Sequence, residues 1–187
     1  MNDSISVIEN FLSIEECTYI LNKCKNELIL SNAMVYDNNH NISNAKTNRK
    51  SSVAWIDDLE FLNDRLKDKL KTTFNINGME VSGLGSFQFT EYKMGDYFGW
   101  HIDSNATIYK DRFASTVIQL NDDYTGGIFE IKNLNGDLVS IENKIGSLYI
   151  FNSNLVHQVT PVKSGIRYSL VNWVSLVKLP SAKQSLI

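Results

Sequence analysis

The sequence predicts an α+β fold, with two amphipathic helices packed on one face of a double-sheet β core. Three observations predict it. Helical spacing of apolar residues occupies the first part of the chain. Short β-rich runs punctuated by Gly, Asn and Asp take over from residue 79. The two patterns form separate blocks, as expected when helices are segregated to one side of a sheet. The 187 residues suit one domain, 1–187: helical support and loop over 1–78, a β-barrel core over 79–177 and a tail over 178–187.

The first helix is expected at 13–28. Ser13-Ile14-Glu15-Glu16 has the form of a capping box. Ile14, Cys17, Ile20, Leu21, Cys24 and Leu28 then recur at helical spacing. The second is expected at 58–73, opened by a similar pattern at Asp57-Asp58-Leu59-Glu60. Leu59, Phe61, Leu62, Leu66, Leu70 and Phe74 form its apolar stripe, with Asp64, Arg65, Lys67, Asp68, Lys69 and Lys71 on the wet side. Between them, Asn38–Asn41 reads as a loop tip, with His40 in no functional role. Asn48-Arg49-Lys50 reads as solvated loop, and Arg49–Ile56 as a short edge strand.

Eight strands are expected after residue 79: Phe87–Tyr92, Tyr97–Ile102, Phe113–Asn121, Ile128–Ile131, Leu138–Ile141, Ser147–Phe151, Val156–Val159 and Arg167–Val177. Gly126-Gly127, Asn135-Gly136-Asp137 and Ser164-Gly165 mark the turns. Phe87 and Phe89 should lie on the face opposite Tyr92 and pack, with Phe74, between helices and sheet.

Composition excludes some classes of function. Hydrophobic residues make up 43% and charged residues 21%, ordinary for a folded soluble protein. The net charge of −3 disfavours nucleic acid or an anionic membrane as main partner. No apolar run approaches the ~20 residues that span a bilayer. Met1-Asn2-Asp3-Ser4 opens no secretory signal. Cys17 and Cys24 lie roughly 10 Å apart along one predicted helix, too far for a disulfide. Reduced thiols and a cytoplasmic location are expected. With no CxxC pair, a zinc site is not.

The chemistry is carried by His101, Asp103 and His157. His101 and Asp103 stand two apart in an extended chain, so imidazole and carboxylate point to the same side. His157 lies in another predicted strand, several strands on, which a jelly roll can return to the same mouth. Two histidines and one carboxylate make the facial triad of non-haem Fe(II) oxygenases, which leaves coordination positions open. Arg167 follows ten residues after His157 and shares a strand face with Ser169, Val171 and Trp173. An inward arginine in a small barrel needs an anionic partner, and a guanidinium beside a hydroxyl suits the distal carboxylate of a dicarboxylic acid.

Several spaced motifs occur in order. They are Tyr92-Lys93-Met94-Gly95-Asp96-Tyr97-Phe98-Gly99-Trp100-His101-Ile102-Asp103, Thr125-Gly126-Gly127, Gly146–Phe151, His157–Val162 and Gly165–Trp173. Together they resemble the 2-oxoglutarate-dependent Fe(II) oxygenases, in their prolyl 4-hydroxylase-like branch, over about half the chain. The resemblance implies a double-stranded β-helix (jelly-roll) core. It assigns His101, Asp103 and His157 to iron and Arg167 to the distal carboxylate of 2-oxoglutarate. Tyr92, Ser169 and Trp173 become further cofactor-side residues. Gln119 departs from the pattern, standing where many relatives carry a tyrosine that reaches the same carboxylate; its amide is expected to donate there instead. Arg49, Trp55 and Tyr97 are the candidate substrate-side residues. The implied reaction consumes 2-oxoglutarate and dioxygen, hydroxylates a C–H bond and releases succinate and CO2. The implied substrate is a prolyl residue of a peptide or protein. The alternatives are a free amino acid or small metabolite, or a non-catalytic cupin-like binding module.

Overall fold

The computed structural model describes residues 5–36, 42–43, 48–76, 79–104 and 109–178. Helix α1 spans Ile14–Glu27, and its capping box forms as expected. Ser13 Oγ accepts the Glu16 amide at 3.2 Å, and Glu16 returns a carboxylate oxygen to the Ser13 amide at 2.9 Å. Glu16 also pairs with Arg65 at 2.7 Å, which ties α1 to helix α2, Glu60–Phe74. The expected cap of α2 does not form. Leu59 is the N-cap and offers no side-chain bond. Asp58 pairs instead with Lys23 at 2.8 Å, and Asp57 accepts from Ser86 Oγ at 2.6 Å. Burial of Leu59 fixes this end of the helix, and the acids are drawn to other elements.

Two antiparallel sheets face each other. The larger runs Ile5–Ile8, Leu148–Asn152, Ala114–Gln119, Arg167–Lys178, Phe87–Tyr92, Ser52–Ile56, Ser31–Asn32, and Met79–Ser82 joins the far half of Arg167–Lys178. The smaller runs Leu138–Ile141, Phe129–Lys132, His157–Val159, Tyr97–His101, Arg49–Lys50. All eight expected strands are present within a residue or two of their expected limits. Ile5–Ile8 and Ser31–Asn32 are additional, and they stand at the two ends of the larger sheet. The expected single strand Arg49–Ile56 is two. Arg49–Lys50 pairs with Tyr97–His101, and Ser52–Ile56 pairs with Phe87–Tyr92, so the chain changes sheets at Ser51. Arg49 is buried rather than solvated, because this crossing carries it between the sheets.

Strand parity sorts the larger sheet into two faces. Phe87, Phe89, Ala114, Ile118, Leu148, Ile150, Leu170 and Val174 face the helices, against Cys17, Ile20, Cys24, Leu62, Leu66 and Leu70. Tyr92, Val117, Tyr149 and Phe151 face the smaller sheet, against Phe129, Ile131 and Val159. Phe87, Phe89 and Phe74 thus pack where expected. Among the described residues, no helix is long and apolar enough to cross a membrane. The expected loop tip Asn38–Asn41, with His40, lies outside the described residues.

Both cysteines are free and buried. Burial pushes the Cys17 thiol up to about 11 and the Cys24 thiol up to about 12. Since the thiolate is the nucleophile, neither is expected to react with iodoacetamide at neutral pH until the protein unfolds. Mass spectrometry before and after denaturant checks this. Leu66→Ala, emptying a fully buried position between helix and sheet, is expected to cost about 2–5 kcal/mol in chemical denaturation.

Candidate metal centre

His101 ends one strand of the smaller sheet and His157 begins its neighbour. The two residues lie directly opposite each other in the antiparallel pairing. Val159 pairs with Phe98, so three steps along one strand oppose two along the other, a β-bulge. The bulge brings Phe98 and His101 to the same side, where their rings stack at 3.5 Å. Gly99 lies within it. Its amide donates to Asn48 O at 2.7 Å, and an added Cβ would fall 2.2 Å from Asn48 Oδ1. Any side chain at this position would have to displace the Asn48 amide group.

Backbone carbonyls set both imidazoles. His101 Nδ1 donates to Gly99 O at 2.8 Å, and His157 Nδ1 donates to Leu155 O at 2.9 Å. A carbonyl only accepts, so the proton sits on Nδ1 and the Nε2 lone pairs are free to ligate. Those Nε2 atoms lie 3.6 Å from the two oxygens of Asp103, one each. The three ligand atoms fall within 4.8 Å of one another. Asp103 is held in turn by Ser115 Oγ, which donates to Oδ2 at 2.6 Å, and Ser115 stands 2.9 Å from Ser153 Oγ. The Asp103 amide donates to Ser153 O at 2.9 Å.

Burial lowers the His101 pKa to about 3; the charge of His157 adds to this and that of Asp103 opposes it. The ring is therefore neutral at physiological pH, as a metal ligand must be. Burial raises the Asp103 carboxyl, but the two imidazoles and the bond from Ser115 outweigh it and hold it below the usual value. Two imidazoles and one carboxylate converging on a common point fit a divalent iron site.

Arg167 lies deeper, 1% exposed, opposite Tyr92 in the strand pairing. Its Nη1 donates to Ser169 Oγ at 3.0 Å, and its Cζ stands 5.4 Å from the centre of the Tyr92 ring. Its Nε and Nη2 have no hydrogen-bond partner, and no described carboxylate pairs with it. A buried guanidinium in this condition is costly unless an anion completes it. Here the arrangement fits the far carboxylate of a keto diacid.

Gln119 faces the same space but is committed elsewhere. Its Nε2 donates to Asn121 O and to Tyr124 Oη, each at 2.8 Å. The expected amide donation toward the carboxylate is therefore replaced by bonds within its own loop. Trp173 is six residues from Arg167 on the same strand face, about 20 Å along the strand. It stands at the Asp103 end, under the guanidinium of Arg112 at 4.1 Å. Arg49 donates to Ser51 Oγ at 2.9 Å and Gln88 Oε1 at 3.1 Å, with its guanidinium 4.5 Å over Phe98. Trp55 is exposed, 6.0 Å from Trp173. Tyr97 is half-buried opposite Lys50, four residues before His101.

Four residues at this centre escaped the sequence reading: Ser115, Ser153, Arg112 and Tyr124. Ser115 was within reach, since it shares the inward parity of Gln119 on an expected strand. The other three sit in turns or between strands, where no periodicity marks them.

Asp103→Ala is expected to abolish retention of a divalent ion in calorimetric titration. Ser115→Ala, which frees the carboxylate to rotate, should weaken it about 10–100-fold. In the metal-free protein, His101 takes up its proton far more readily unfolded than folded. Stability should therefore fall as pH drops below the ordinary value of 6.5, a trend that melting curves will show.

Comparison with known proteins agrees with this geometry. The family profile described as the 2OG-Fe(II) oxygenase superfamily matches residues 87–175. A PKHD-type hydroxylase of Shewanella oneidensis is 37% identical over 92 residues, covering 46% of this chain and 41% of that one. A PKHD-type hydroxylase of Synechococcus is 29% identical over 96 residues, covering 50% and 43%. The chain thus spans about two fifths of the length of the curated relatives it matches. Among solved structures, a Pseudomonas putida prolyl-4-hydroxylase superposes with a TM-score of 0.71 at 20% identity over 92% of each chain. A Trichoplax adhaerens prolyl hydroxylase, solved with a hypoxia inducible factor peptide fragment, gives 0.74 at 21% identity over 93% of this chain and 84% of that one. At such identities these likenesses establish the fold, a double-stranded β-helix with helices on one face. With the triad formed, the strands that carry it lie within residues 87–175, the segment that is similar to the 2OG-Fe(II) oxygenase superfamily.

Proposed function

We propose that this protein is an Fe(II)- and 2-oxoglutarate-dependent hydroxylase acting on a prolyl residue of a peptide or protein. One observation carries the oxygenase part. The triad converges at one point while a buried arginine with two unpartnered donors lies on the strand that leads away from it. The prolyl part is supported by the folds it resembles, two of which are described as prolyl hydroxylases.

His101, Asp103 and His157 would hold the iron. Gly99 O and Leu155 O keep the imidazoles aimed, and Ser115 keeps the carboxylate aimed. Arg167 and Ser169 would take the distal carboxylate of 2-oxoglutarate, and Tyr92 would close the pocket beside them. Phe98, Phe129 and Phe151 surround the histidines and exclude water. Bound iron would supply the oxidising chemistry: 2-oxoglutarate and dioxygen go to succinate and CO2, and one oxygen atom enters the substrate C–H bond. Trp173, Trp55 and Arg49 would line the substrate side, with Trp55 6.0 Å from Trp173 and the Arg49 guanidinium 4.5 Å over Phe98.

The test is succinate formation from 2-oxoglutarate with Fe(II) in air, over a panel of proline-containing peptides and free amino acids. Peptides that gain one oxygen, with matching succinate, support the reading. Gain of oxygen by free amino acids alone would move the substrate to the small-molecule class. No succinate, coupled or uncoupled, sinks the oxygenase. Arg167→Leu is expected to raise the KM for 2-oxoglutarate at least 10-fold, since a charged hydrogen-bonded partner is lost from a buried site.

A further inference from the structure

Gln119 stands opposite Ser169 in the strand pairing, two residues from Arg167 on the same face, but has no hydroxyl to offer, and its Oε1 is buried without a partner. A hydroxyl reaches it from the following turn. Tyr124 is buried, and its Oη accepts from Gln119 Nε2 at 2.8 Å. The Arg167 guanidinium lies beside the same hydroxyl. Two glycines make room for this fold-back. A Cβ on Gly127 would meet Tyr124 Cε2 and Arg167 Cδ, each at 3.1 Å. A Cβ on Gly165 would meet Tyr124 Cβ at 2.9 Å. Both have positive φ, 57° and 75°, so a side chain would be strained as well as crowded.

The bonding of that oxygen is directional. An amide N–H and a guanidinium can only donate, so neither can receive the phenol proton. Gln119 thus turns the lone pairs of Tyr124 toward itself and leaves the O–H to find an acceptor. Burial keeps the phenol protonated, with its pKa above the usual value despite Arg167. The Arg167 donors Nε and Nη2 lack an acceptor in the same neighbourhood. One anionic group would satisfy all three donors.

We propose that Tyr124 is the second anchor for the distal carboxylate of 2-oxoglutarate, sharing it with Arg167, and that Gln119 is the positioning residue that aims its hydroxyl. The proposal rests on the oxygenase reading above and moves an anchoring hydroxyl from the strand to the turn. It makes Tyr124 a determinant of selectivity for a keto diacid over a keto acid without the second carboxylate.

The experiment titrates the Mn(II)-loaded protein, under nitrogen, with 2-oxoglutarate and with 2-oxobutyrate, which has the same keto acid end and no distal carboxylate. Tyr124→Phe should weaken 2-oxoglutarate about 10-fold or more while 2-oxobutyrate stays within about twofold; one charge-assisted hydrogen bond is at stake. Gln119→Leu should shift the same ratio in the same direction. Mn(II) affinity and melting temperature should match the parent in both. An unchanged ratio in Tyr124→Phe, or an equal loss for both acids, overturns the proposal. The parent protein reads the other question separately: if it fails to bind 2-oxoglutarate in the presence of metal, the oxygenase reading is what fails.

Discussion

The constraint on which the site depends is a register: His157 stands opposite His101 in an antiparallel pair. A slip of one residue would turn every side chain of one strand to the other face and separate the imidazoles. The bulge beside the pair, the glycine inside it and the carbonyls that accept from both rings all serve this alignment. Most of the orientation at the centre therefore comes from main chain. Asp103 is the exception, since it lies just past the strand end and is aimed by the hydroxyl of Ser115 from the opposite sheet.

The larger sheet connects that centre to the rest of the molecule. Its outer face is aliphatic and aromatic and packs on the helices; its inner face carries Ser115, Gln119, Arg167, Ser169 and Trp173. One strand, Arg167–Lys178, runs the length of the cleft and presents Arg167 at one end and Trp173 nearer the metal ligands. Helix α1 reaches this strand system through Cys17, whose Sγ lies 3.9 Å from Gln119 O. The helices thus hold the back of the sheet whose front binds.

Legibility from sequence followed the range of the forces involved. Strand limits and faces were readable because period-2 alternation is local: Phe87 and Phe89 fall opposite Tyr92, as the letters imply. The triad was readable because three residue types of one chemistry stood in an ordered set of motifs. The α2 cap was misread because Asp58 has a distant partner, Lys23, that no local pattern reveals. Gln119 was misread for a similar reason, since its partner Tyr124 folds back only when two glycines permit it. The strand at Arg49 was read as continuous because a change of sheet leaves no trace in hydropathy.

That change of sheet has a mechanical meaning. Arg49–Lys50 belongs to one wall of the cleft and Ser52–Ile56 to the other, so Ser51 alone spans the gap on that flank. The distance between the two sheets there is limited by the two peptide units that flank Ser51. The two sheets are pinned together at this corner, and any separation of them has to come from the flank farther from it.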